Sequence, residues 1–465
     1  MNIIESAQAV TRLSDALTKG VQRANDLIAP VLVSVASPLQ SPLDAGALFA
    51  EAASQGKSRI LWARPSAGWW AVGVGMAHVL TGDGAGRFSS IRDAHRALME
   101  TAIVDAPTFP GVGPVFFGGF RFDSESSKSV TWRDFGDGRF LLPSTAFSQV
   151  GGVAYATINV VVSPGSDINA LLAATHLPLR EVEVETNRST RVISQRTRSK
   201  VTWRRTVNAA LDSISDGEME KVVLARRLRL TFNNPPALGV VMERLMATYP
   251  ECLVFAIGQG SSTFLGATPE QLVSLDKGRI SVTCLAGSAP RGMTGEQDEV
   301  IGNELLERHK DQREHAYVVQ AVRESLSGLC TDVTYDHQPG LLKLPSIQHL
   351  STHFSATVSA ETHVIDLAQA LHPTPAVGGT PRTRAMEAIR TIERADRGWY
   401  AAPVGHIDAS GDGEFGVAIR SALAQGNKAL LYAGAGIIEG SEPDLELAEV
   451  ELKLNAMRSV LTGGD

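Results

Sequence analysis

Residues 414–457, EFGVAIRSALAQGNKALLYAGAGIIEGSEPDLELAEVELKLNAM, decide the fold class, because two apolar runs and a helical pattern follow one another directly. Gln425-Gly426-Asn427 separates the two runs and predicts a β-hairpin turn. A final helix is predicted to begin near Pro443, because proline is favoured in a first helical turn. Strands that are adjacent in sequence, rather than separated by helices, favour a mostly antiparallel α+β fold.

The same strand-rich pattern extends toward the N-terminus. Helical spacing covers residues 5–19, 203–216 and 295–328, the last as one long helix. Alternating or continuous apolar runs predict strands in further segments: 30–39, 58–65, 69–80, 113–123, 153–163, 221–232, 253–259, 262–270 and 280–292. Most of these runs also follow one another without a helix between them, which again indicates an α+β fold.

Chain length suggests more than a minimal domain. A chain of 465 residues exceeds the size at which a single core stops growing, so we expect one large domain with a substantial extra region, or two domains. The polar stretch 178–200 is the best candidate boundary and is predicted to be a connection or an exposed edge. We therefore divide the chain into an N-terminal α+β region, 1–190, which belongs to the same body, and a catalytic region, 191–465.

Composition limits the classes of partner and the compartment. A net charge of −7 argues against a nucleic-acid binder, which usually carries a basic face. The three cysteines are too sparse for a disulfide framework or a zinc site. No signal-peptide core is visible at the N-terminus, and no apolar run approaches the roughly 20 residues of a membrane span. We expect a cytoplasmic protein with no membrane or nucleic-acid partner.

Acidic residues recur at helical spacing in two places. Glu446, Glu449 and Lys453 are spaced i, i+3 and i+7, which places them on one helix face. Asp311 and Glu314 are spaced i and i+3, just before an apolar run. Each group alone is more typical of a solvated surface. Together the two helices would present four carboxylates, and oxygen ligands without cysteine or histidine suit Mg²⁺.

Glycine-rich turns indicate places where the backbone approaches a ligand. Gly434 and Gly436 lie in YAGAGIIEG, whose spacing does not fit a dinucleotide-binding loop; exposed amides there would suit an anion, although a simple turn is equally possible. Two further turns, 285–292 and 374–382, have the same character. Arg420, in an apolar strand, is a candidate for holding a carboxylate.

Three further residues are candidates for proton chemistry. His349 could donate a hydrogen bond to an oxyanion, although a lone histidine is more often structural. Lys221 precedes an apolar strand, where it would either extend to water or, if buried, act as a general base. Glu270 ends a strand, and an apolar pocket would keep its carboxyl neutral as a general acid.

Taken in order, the motifs of residues 217–457 resemble the chorismate-utilising enzyme family. The matching segments cover about half of the chain: GEMEKVVLARR, FLGATPEQLV, LAGSAPRG, KDQREHAYVV, IQHLSTHFSA, LHPTPAVGGTPR, DRGWYAAPVG, DGEFGVAIRSAL, YAGAGIIEGSEP and ELAEVELKL. In the N-terminal half only GPVFFGGFRFD matches clearly. The resemblance implies large antiparallel sheets packed face to face with helices outside.

Within that family, the resemblance is nearest to isochorismate synthases, whether they feed menaquinone or siderophore synthesis. Lys221 stands where anthranilate synthases usually carry glutamine, and lysine is typical of members that activate water. The segment HPTPAVGGTPR resembles the isochorismate synthase form, with Gly378 in place of a common cysteine. A salicylate synthase, which also eliminates pyruvate, is the main alternative, and a catalytically inactive binding module is a second. No glutaminase subunit is expected.

The resemblance also implies a role for each candidate residue. Lys221 would be the base that deprotonates water, and Glu270 the acid that protonates the departing hydroxyl of chorismate. Glu314 and Glu449 would be the principal Mg²⁺ ligands, with Glu446 and Asp311 nearby. The remaining residues would hold the substrate carboxylates or form the wall around the ring: Arg420, Lys453, Gly434, Gly436, His349, Gly287 and Ser288.

Overall fold

A computed structural model describes residues 7–40, 43–175 and 190–463. Its α-helices are α1 (Ala7–Leu27), α2 (Ala45–Ser54), α3 (Arg87–Glu100), α4 (Ile168–Ala174), α5 (Lys200–Ser215), α6 (Leu238–Thr248), α7 (Gly295–Glu307), α8 (His309–Ser327), α9 (Val364–Leu371), α10 (Arg382–Ala388) and α11 (Pro443–Thr462). None of these helices has the length and hydropathy needed to cross a bilayer.

The strands fall into two sheets. In chain order they are β1 (Val31–Leu39), β2 (Arg59–Arg64), β3 (Trp69–Val74), β4 (His78–Gly82), β5 (Ile103–Asp105), β6 (Phe116–Phe120), β7 (Gly138–Leu142), β8 (Thr145–Val150), β9 (Val153–Val162), β10 (Val192–Thr197), β11 (Lys221–Phe232), β12 (Leu253–Gln259), β13 (Ser262–Thr268), β14 (Gln271–Asp276), β15 (Arg279–Pro290), β16 (Thr331–Tyr335), β17 (Gly340–Lys343), β18 (Ile347–Thr357), β19 (Gly379–Thr380), β20 (Pro403–Ile407), β21 (Gly413–Val417), β22 (Ser421–Gln425) and β23 (Lys428–Ile438).

Antiparallel pairing dominates both sheets, as the sequence predicts. Within the described residues, the first sheet has 13 strands in the order β10-β11-β23-β22-β13-β12-β2-β3-β8-β9-β1-β5, with β19 paired to β11. In the same part of the chain, the second has 10 strands in the order β16-β18-β15-β14-β21-β20-β6-β7-β4, with β17 paired to β18. Among the described residues only β1 and β5 pair in parallel.

The two sheets pack face to face through aromatic side chains. The His406 ring on β20 lies 5.6 Å from the Trp62 ring on β2 and 5.5 Å from the Trp69 ring on β3, measured between centroids. Helices cover the outer faces, with α11 against β23 and α8 against β15. The predicted α+β fold with large antiparallel sheets and external helices is therefore confirmed.

Strands from both sides of residue 190 are present in each sheet. In the first sheet β12, from the C-terminal region, pairs with β2 from the N-terminal region. In the second, β20 pairs with β6 in the same way. Of the predicted connection, 178–200, residues 178–189 lie outside the described part of the chain, and β10 is an exposed edge strand. The boundary at residue 190 itself stays a prediction.

One predicted helix is wrong. Residues 295–328 form two helices because Arg308 is extended, with φ −72° and ψ 110°. Both helices pack on β15 and β18, but only α7 also packs on β17, and only α8 also packs on α9 and β16. Arg308 then caps the second helix and contacts Asp311 in its first turn, at 3.3 Å. Helical periodicity continues across such a break, which is why the sequence pattern conceals it.

The hairpin and the final helix are where the sequence predicts them. Strand β22 turns into β23 at Gly426 and Asn427, with Gln425 opposite Lys428. Helix α11 begins at Pro443, and the Trp203 indole on α5 donates a hydrogen bond to the Pro443 carbonyl at 3.0 Å. This hydrogen bond fixes the start of α11 to α5, while α11 packs separately on β23. Both the last strand and the last helix carry candidate site residues.

Candidate active site

A cleft opens where β11, β15, β18 and β23 meet α8 and α11. Ten of the predicted site residues line it: Glu270, Gly287, Ser288, Glu314, His349, Arg420, Gly434, Gly436, Glu449 and Lys453. The other three, Lys221, Asp311 and Glu446, lie directly behind this lining, each in contact with a residue of the cleft or with its helices. Residues spread over more than 230 positions of sequence are thus brought to one place.

Lys221 is fully buried at the start of β11, so the alternative in which its ammonium extends to water is wrong. Its Nζ lies 3.0 Å from Oε1 of Glu314. Gly436, on the paired strand β23, makes this contact possible. A Cβ at Gly436 would collide with Oε1 of Glu314 and lie 3.0 Å from Cε of Lys221. The glycine is therefore required by close approach between side chains, not by backbone conformation.

Glu270 is buried at the turn between β13 and β14. Burial raises the pKa of its carboxyl to about 8, against the opposing effect of the positive charges of Lys221, Lys453 and Arg420. The carboxyl is therefore largely protonated near neutral pH, as a general acid must be. Its backbone is held by hydrogen bonds, with Val417 N–H donating to its carbonyl at 3.0 Å. The environment that the sequence suggested for Glu270 is present.

Each of the four carboxylates predicted to bind metal contacts a cationic side chain. The pairs and their N···O distances are Glu314 with Lys221, 3.0 Å; Asp311 with Arg308, 3.3 Å; Glu446 with Lys310, 2.6 Å; and Glu449 with Lys453, 2.6 Å. Glu446 is only 2 % exposed, which excludes a solvated face for this residue. Paired cations are the means by which such buried negative charge is tolerated.

The electrostatic environment of these carboxylates is not uniform. Burial raises the pKa of Glu446 and of Asp311, and neighbouring carboxylates add to both shifts. Burial also acts to raise the pKa of Glu449, but the ammonium groups of Lys453 and Lys310 outweigh it and the net shift is downward. Glu449 is therefore the more readily ionised of the two α11 carboxylates.

The chemistry of this donor set fits Mg²⁺, since every candidate ligand is a carboxylate oxygen. Within the described residues, however, no three carboxylate, imidazole or thiol groups converge as a preformed metal site. The carboxylates point to ammonium and guanidinium groups instead. A metal ion at this position would therefore have to replace some of those contacts.

A basic group faces the carboxylates across the cleft. Arg420 has a left-handed backbone, φ 50°, which is uncommon for a residue with a side chain and indicates a functional constraint. Its Nη2 lies 3.4 Å from Nε2 of His349. Among the described residues Arg420 has no acidic ion-pair partner, so its guanidinium is available to an anion in the cleft.

His349 is neutral and both of its nitrogens are engaged. Its pKa is held well below its ordinary value, first by burial and then by the positive charges of Arg420 and Lys453. Because arginine can only donate, Nε2 of His349 accepts, and Nδ1 carries the proton that it donates to Ser288 Oγ at 3.0 Å. The predicted donation from His349 to an oxyanion stays a prediction. The ring holds Arg420 and Ser288 in place.

Lys453 lines the cleft, but its ammonium is bound to protein groups. Its ammonium contacts Glu449 at 2.6 Å and donates to the Gly434 carbonyl at 3.1 Å. Gly287, with φ 77°, lies at a bulge in β15, and the next residue, Ser288, donates its N–H to Asp311 at 3.3 Å. The glycine-rich segments thus supply carbonyl and amide contacts to the charged residues of α8 and α11.

Tyr400 is a site residue that motif reasoning missed. Its buried ring lines the cleft and stacks on Tyr432, with centroids 4.8 Å apart and an interplanar angle of 13°. Burial raises the pKa of the phenol to about 12, so it remains a hydrogen-bond donor at all physiological pH values. Tyr400 lies in DRGWYAAPVG, one of the quoted family motifs, and its place in that motif is the sequence feature that could have identified it as a site residue.

A buried ion pair supports the cleft wall. Arg397 donates to the carbonyls of Val377 and Val223, both at 2.8 Å, and also pairs with Glu393 at 2.6 Å. Glu393 in turn accepts from the Ala225 N–H at 3.0 Å. These side chains occupy the edge of β11 just beyond the two-residue strand β19, where no neighbouring strand continues the ladder. They therefore fix the strand that carries Lys221.

Comparisons with known proteins show the family to which the chain belongs. The sequence profile of the chorismate binding enzyme family matches residues 19–462. The isochorismate synthase MenF of Bacillus subtilis is 35 % identical over 95 % of this chain and 96 % of its own length. The salicylate biosynthesis isochorismate synthase of Pseudomonas aeruginosa is 34 % identical over 98 % of this chain and 95 % of its own.

Solved structures show the same fold. The menaquinone-specific isochorismate synthase MenF of Escherichia coli superposes with a TM-score of 0.77 at 24 % identity, covering 96 % of this chain and 100 % of its own. A 2,3-dihydroxybenzoate-specific isochorismate synthase, DhbC, from Bacillus anthracis, gives 0.70 at 26 % identity, covering 88 % and 97 %.

Proposed function

Because this chain belongs to the chorismate binding enzyme family, we propose that it is a Mg²⁺-dependent isochorismate synthase, an isomerase that converts chorismate to isochorismate. The observation that supports this proposal most directly is the buried carboxyl of Glu270, whose pKa is raised to about 8. It lies in the same cleft as the guanidinium of Arg420, which has no acidic partner among the described residues. A neutral acid and an anion-binding group are what the removal of a hydroxyl from an anionic ring requires.

The proposed reaction exchanges one hydroxyl for another. Water attacks C2 of the ring as the double bonds shift, and the C4 hydroxyl leaves. Lys221 takes the proton of the attacking water, and Glu270 gives its proton to the leaving hydroxyl, which departs as water. One water is consumed and one released, so substrate and product are isomers. General acid–base groups of this kind typically contribute about 10²–10⁴-fold each.

Lys221 needs a change of contact before it can act as this base. An ammonium paired with a carboxylate has no lone pair to offer, and in the structure Nζ lies beside Glu314. Glu314 would have to release Lys221 in order to hold a metal ion. The proposed ligands are Glu314 and Glu449, with Asp311 and Glu446 close by. Bound Mg²⁺ would neutralise one substrate carboxylate and reverse the local negative field.

The opposite end of the cleft fits the second carboxylate of the substrate. Arg420 is held by His349, and both Arg420 and Tyr400 line the cleft. Together they can donate to a carboxylate. Gly434 lies in the same lining, where a Cβ would be 3.4 Å from the Tyr400 hydroxyl, at ordinary contact distance.

The test is a product analysis with purified protein, chorismate and Mg²⁺. We expect isochorismate, with no dependence on ammonium. Salicylate formed with an equal amount of pyruvate would assign the alternative activity. An ammonium-dependent aromatic amine would overturn the role given to Lys221.

A further inference from the structure

Lys310 joins the two helices that carry the acidic residues. It is the second residue of α8, and its Nζ lies 2.6 Å from Oε1 of Glu446 on α11. Glu446 is 2 % exposed, whereas the lysine side chain is 38 % exposed. The ammonium therefore covers the acidic cluster on its solvent side and is not part of the cleft lining.

The ammonium of Lys310 lies close to more than its hydrogen-bonded partner. Glu314 follows Lys310 by four residues on α8, and Glu449 follows Glu446 by three residues on α11, so the members of each pair share a helix face. The contact of Lys310 with Glu446 therefore places one positive charge beside three of the four proposed Mg²⁺ ligands. A simple bridge between two helices would need only one acidic partner.

We propose that Lys310 is a competing cation that weakens the binding of Mg²⁺ to the carboxylate cluster. The inference rests on the proposed metal site. A Mg²⁺ ion and an ammonium that share the same carboxylates repel each other, whether the lysine stays in place or swings into solvent. In either case part of the attraction between the metal and the carboxylates is lost. Lys310 therefore keeps the cluster neutralised when the metal leaves and keeps the metal exchangeable.

The other cations near the cluster have different positions. Lys221 and Lys453 contact Glu314 and Glu449 from inside the cleft, where substrate and water would be. Arg308 contacts Oδ2 of Asp311, at 3.3 Å. Lys310 can therefore be changed without removing a group proposed to touch the substrate.

The experiment is calorimetric titration of Mg²⁺ into the full-length protein after removal of divalent ions. Lys310→Met keeps the length of the side chain and removes its charge. We expect it to bind Mg²⁺ about tenfold more tightly, the effect of removing one charge roughly 6 Å from a divalent ion in a watery environment. Lys310→Arg should remain near the unsubstituted protein.

Lys343→Met is the matched control. Lys343 lies on β17, is 36 % exposed and contacts Asp298 on α7 at 2.8 Å. Neither residue lines the cleft. Its loss should leave Mg²⁺ affinity unchanged. Equal or weaker Mg²⁺ affinity in Lys310→Met would overturn the proposal. Absence of any Mg²⁺ binding by the unsubstituted protein would instead overturn the metal site, and the role of Lys310 with it.

Thermal unfolding separates competition from a structural bridge. If Lys310 competes with the metal, Lys310→Met should unfold at a lower temperature than the unsubstituted protein in chelator, and saturating Mg²⁺ should close the gap. A purely structural bridge would give the same loss in both conditions. If Lys310→Met does not fold, Lys310→Gln provides the same two measurements.

Discussion

Nζ of Lys221 lies 3.0 Å from Oε1 of Glu314, so the proposed general base contacts a proposed metal ligand. This pair lies under Gly436, which has no side chain to separate it from β23. In the proposed mechanism, proton transfer and metal binding would therefore be connected through one carboxylate. The consequences can be measured at each member of the group.

The first prediction concerns Gly436→Ala. The added methyl would collide with Glu314 and press on Lys221, so the pair must shift. We expect turnover to fall about 100-fold, the usual effect of a misplacement near 1 Å at reacting groups. Steady-state kinetics measure the loss. Gly295→Ala is the control, because a Cβ there meets nothing within 4 Å. Full activity in Gly436→Ala would show that the Lys221–Glu314 geometry is not needed.

The second prediction concerns Glu270 and pH. Its pKa is raised to about 8, so the proton needed for general acid catalysis is present below that pH and is lost as pH rises through it. We expect kcat/KM to fall above about pH 8, and Glu270→Gln to lose about 10²–10⁴-fold activity. The residual activity of this variant should lack the alkaline fall. An unchanged alkaline fall in Glu270→Gln would assign it to another group.

The third prediction concerns the metal ligands. Glu314→Gln and Glu449→Gln keep the shape of each side chain but remove a negative charge that Mg²⁺ requires. We expect each to need at least tenfold more Mg²⁺ for half-maximal rate, because one charge–charge interaction at short range is lost. Rates are measured across a Mg²⁺ series after chelation. Glu451→Gln is the control, because Glu451 lies on the same helix but contacts Arg226 instead of the cluster. A Mg²⁺ requirement unchanged in both Glu314→Gln and Glu449→Gln would place the metal elsewhere.

The part of the site that was predictable from sequence is the part set by local periodicity. Glu446, Glu449 and Lys453 recur at helical spacing, so their common face was visible before any tertiary contact was known. The hairpin turn at Gly426 was predictable from another local feature, the short turn sequence between two apolar runs. Fold class also followed from local order, because most strands are neighbours in sequence.

What periodicity cannot show is which distant segments meet. The contact of Lys221 with Glu314 depends on the register of β11 against β23 and on the packing of α8, both non-local. The break at Arg308 leaves the helical pattern intact, and Tyr400 becomes a site residue only because Tyr432 stacks beneath it. Lys310 looked like any surface lysine until its three carboxylate neighbours were in place.

The fourth prediction concerns acid stability. His95 and His363 are buried and hydrogen-bonded to each other at 3.1 Å. Burial lowers the pKa of His95 to about 4 and that of His363 to about 3. Because unfolding returns each to an ordinary pKa near 6.5, the unfolded chain binds more protons, and the free energy of unfolding should fall as pH drops below about 6.5.

Denaturant titrations between pH 4.5 and 7.5 measure this slope. Each histidine contributes up to about 1.4 kcal/mol per pH unit in that window. His95→Phe cannot take up a proton, so its slope should be smaller by about one proton, whereas exposed His337→Gln should keep the full slope. Equal slopes in all three proteins would remove the pair from the account of acid stability.

The most direct test of the central claim is to approach equilibrium from both sides. Purified protein with Mg²⁺ is incubated with chorismate in one reaction and with isochorismate in another, and the products are resolved by chromatography. The proposed mechanism consumes and releases one water, so both reactions should reach the same mixture of the two isomers, and chelation should stop both. Formation of salicylate and pyruvate from either, or a failure of isochorismate to return to chorismate, would contradict the account.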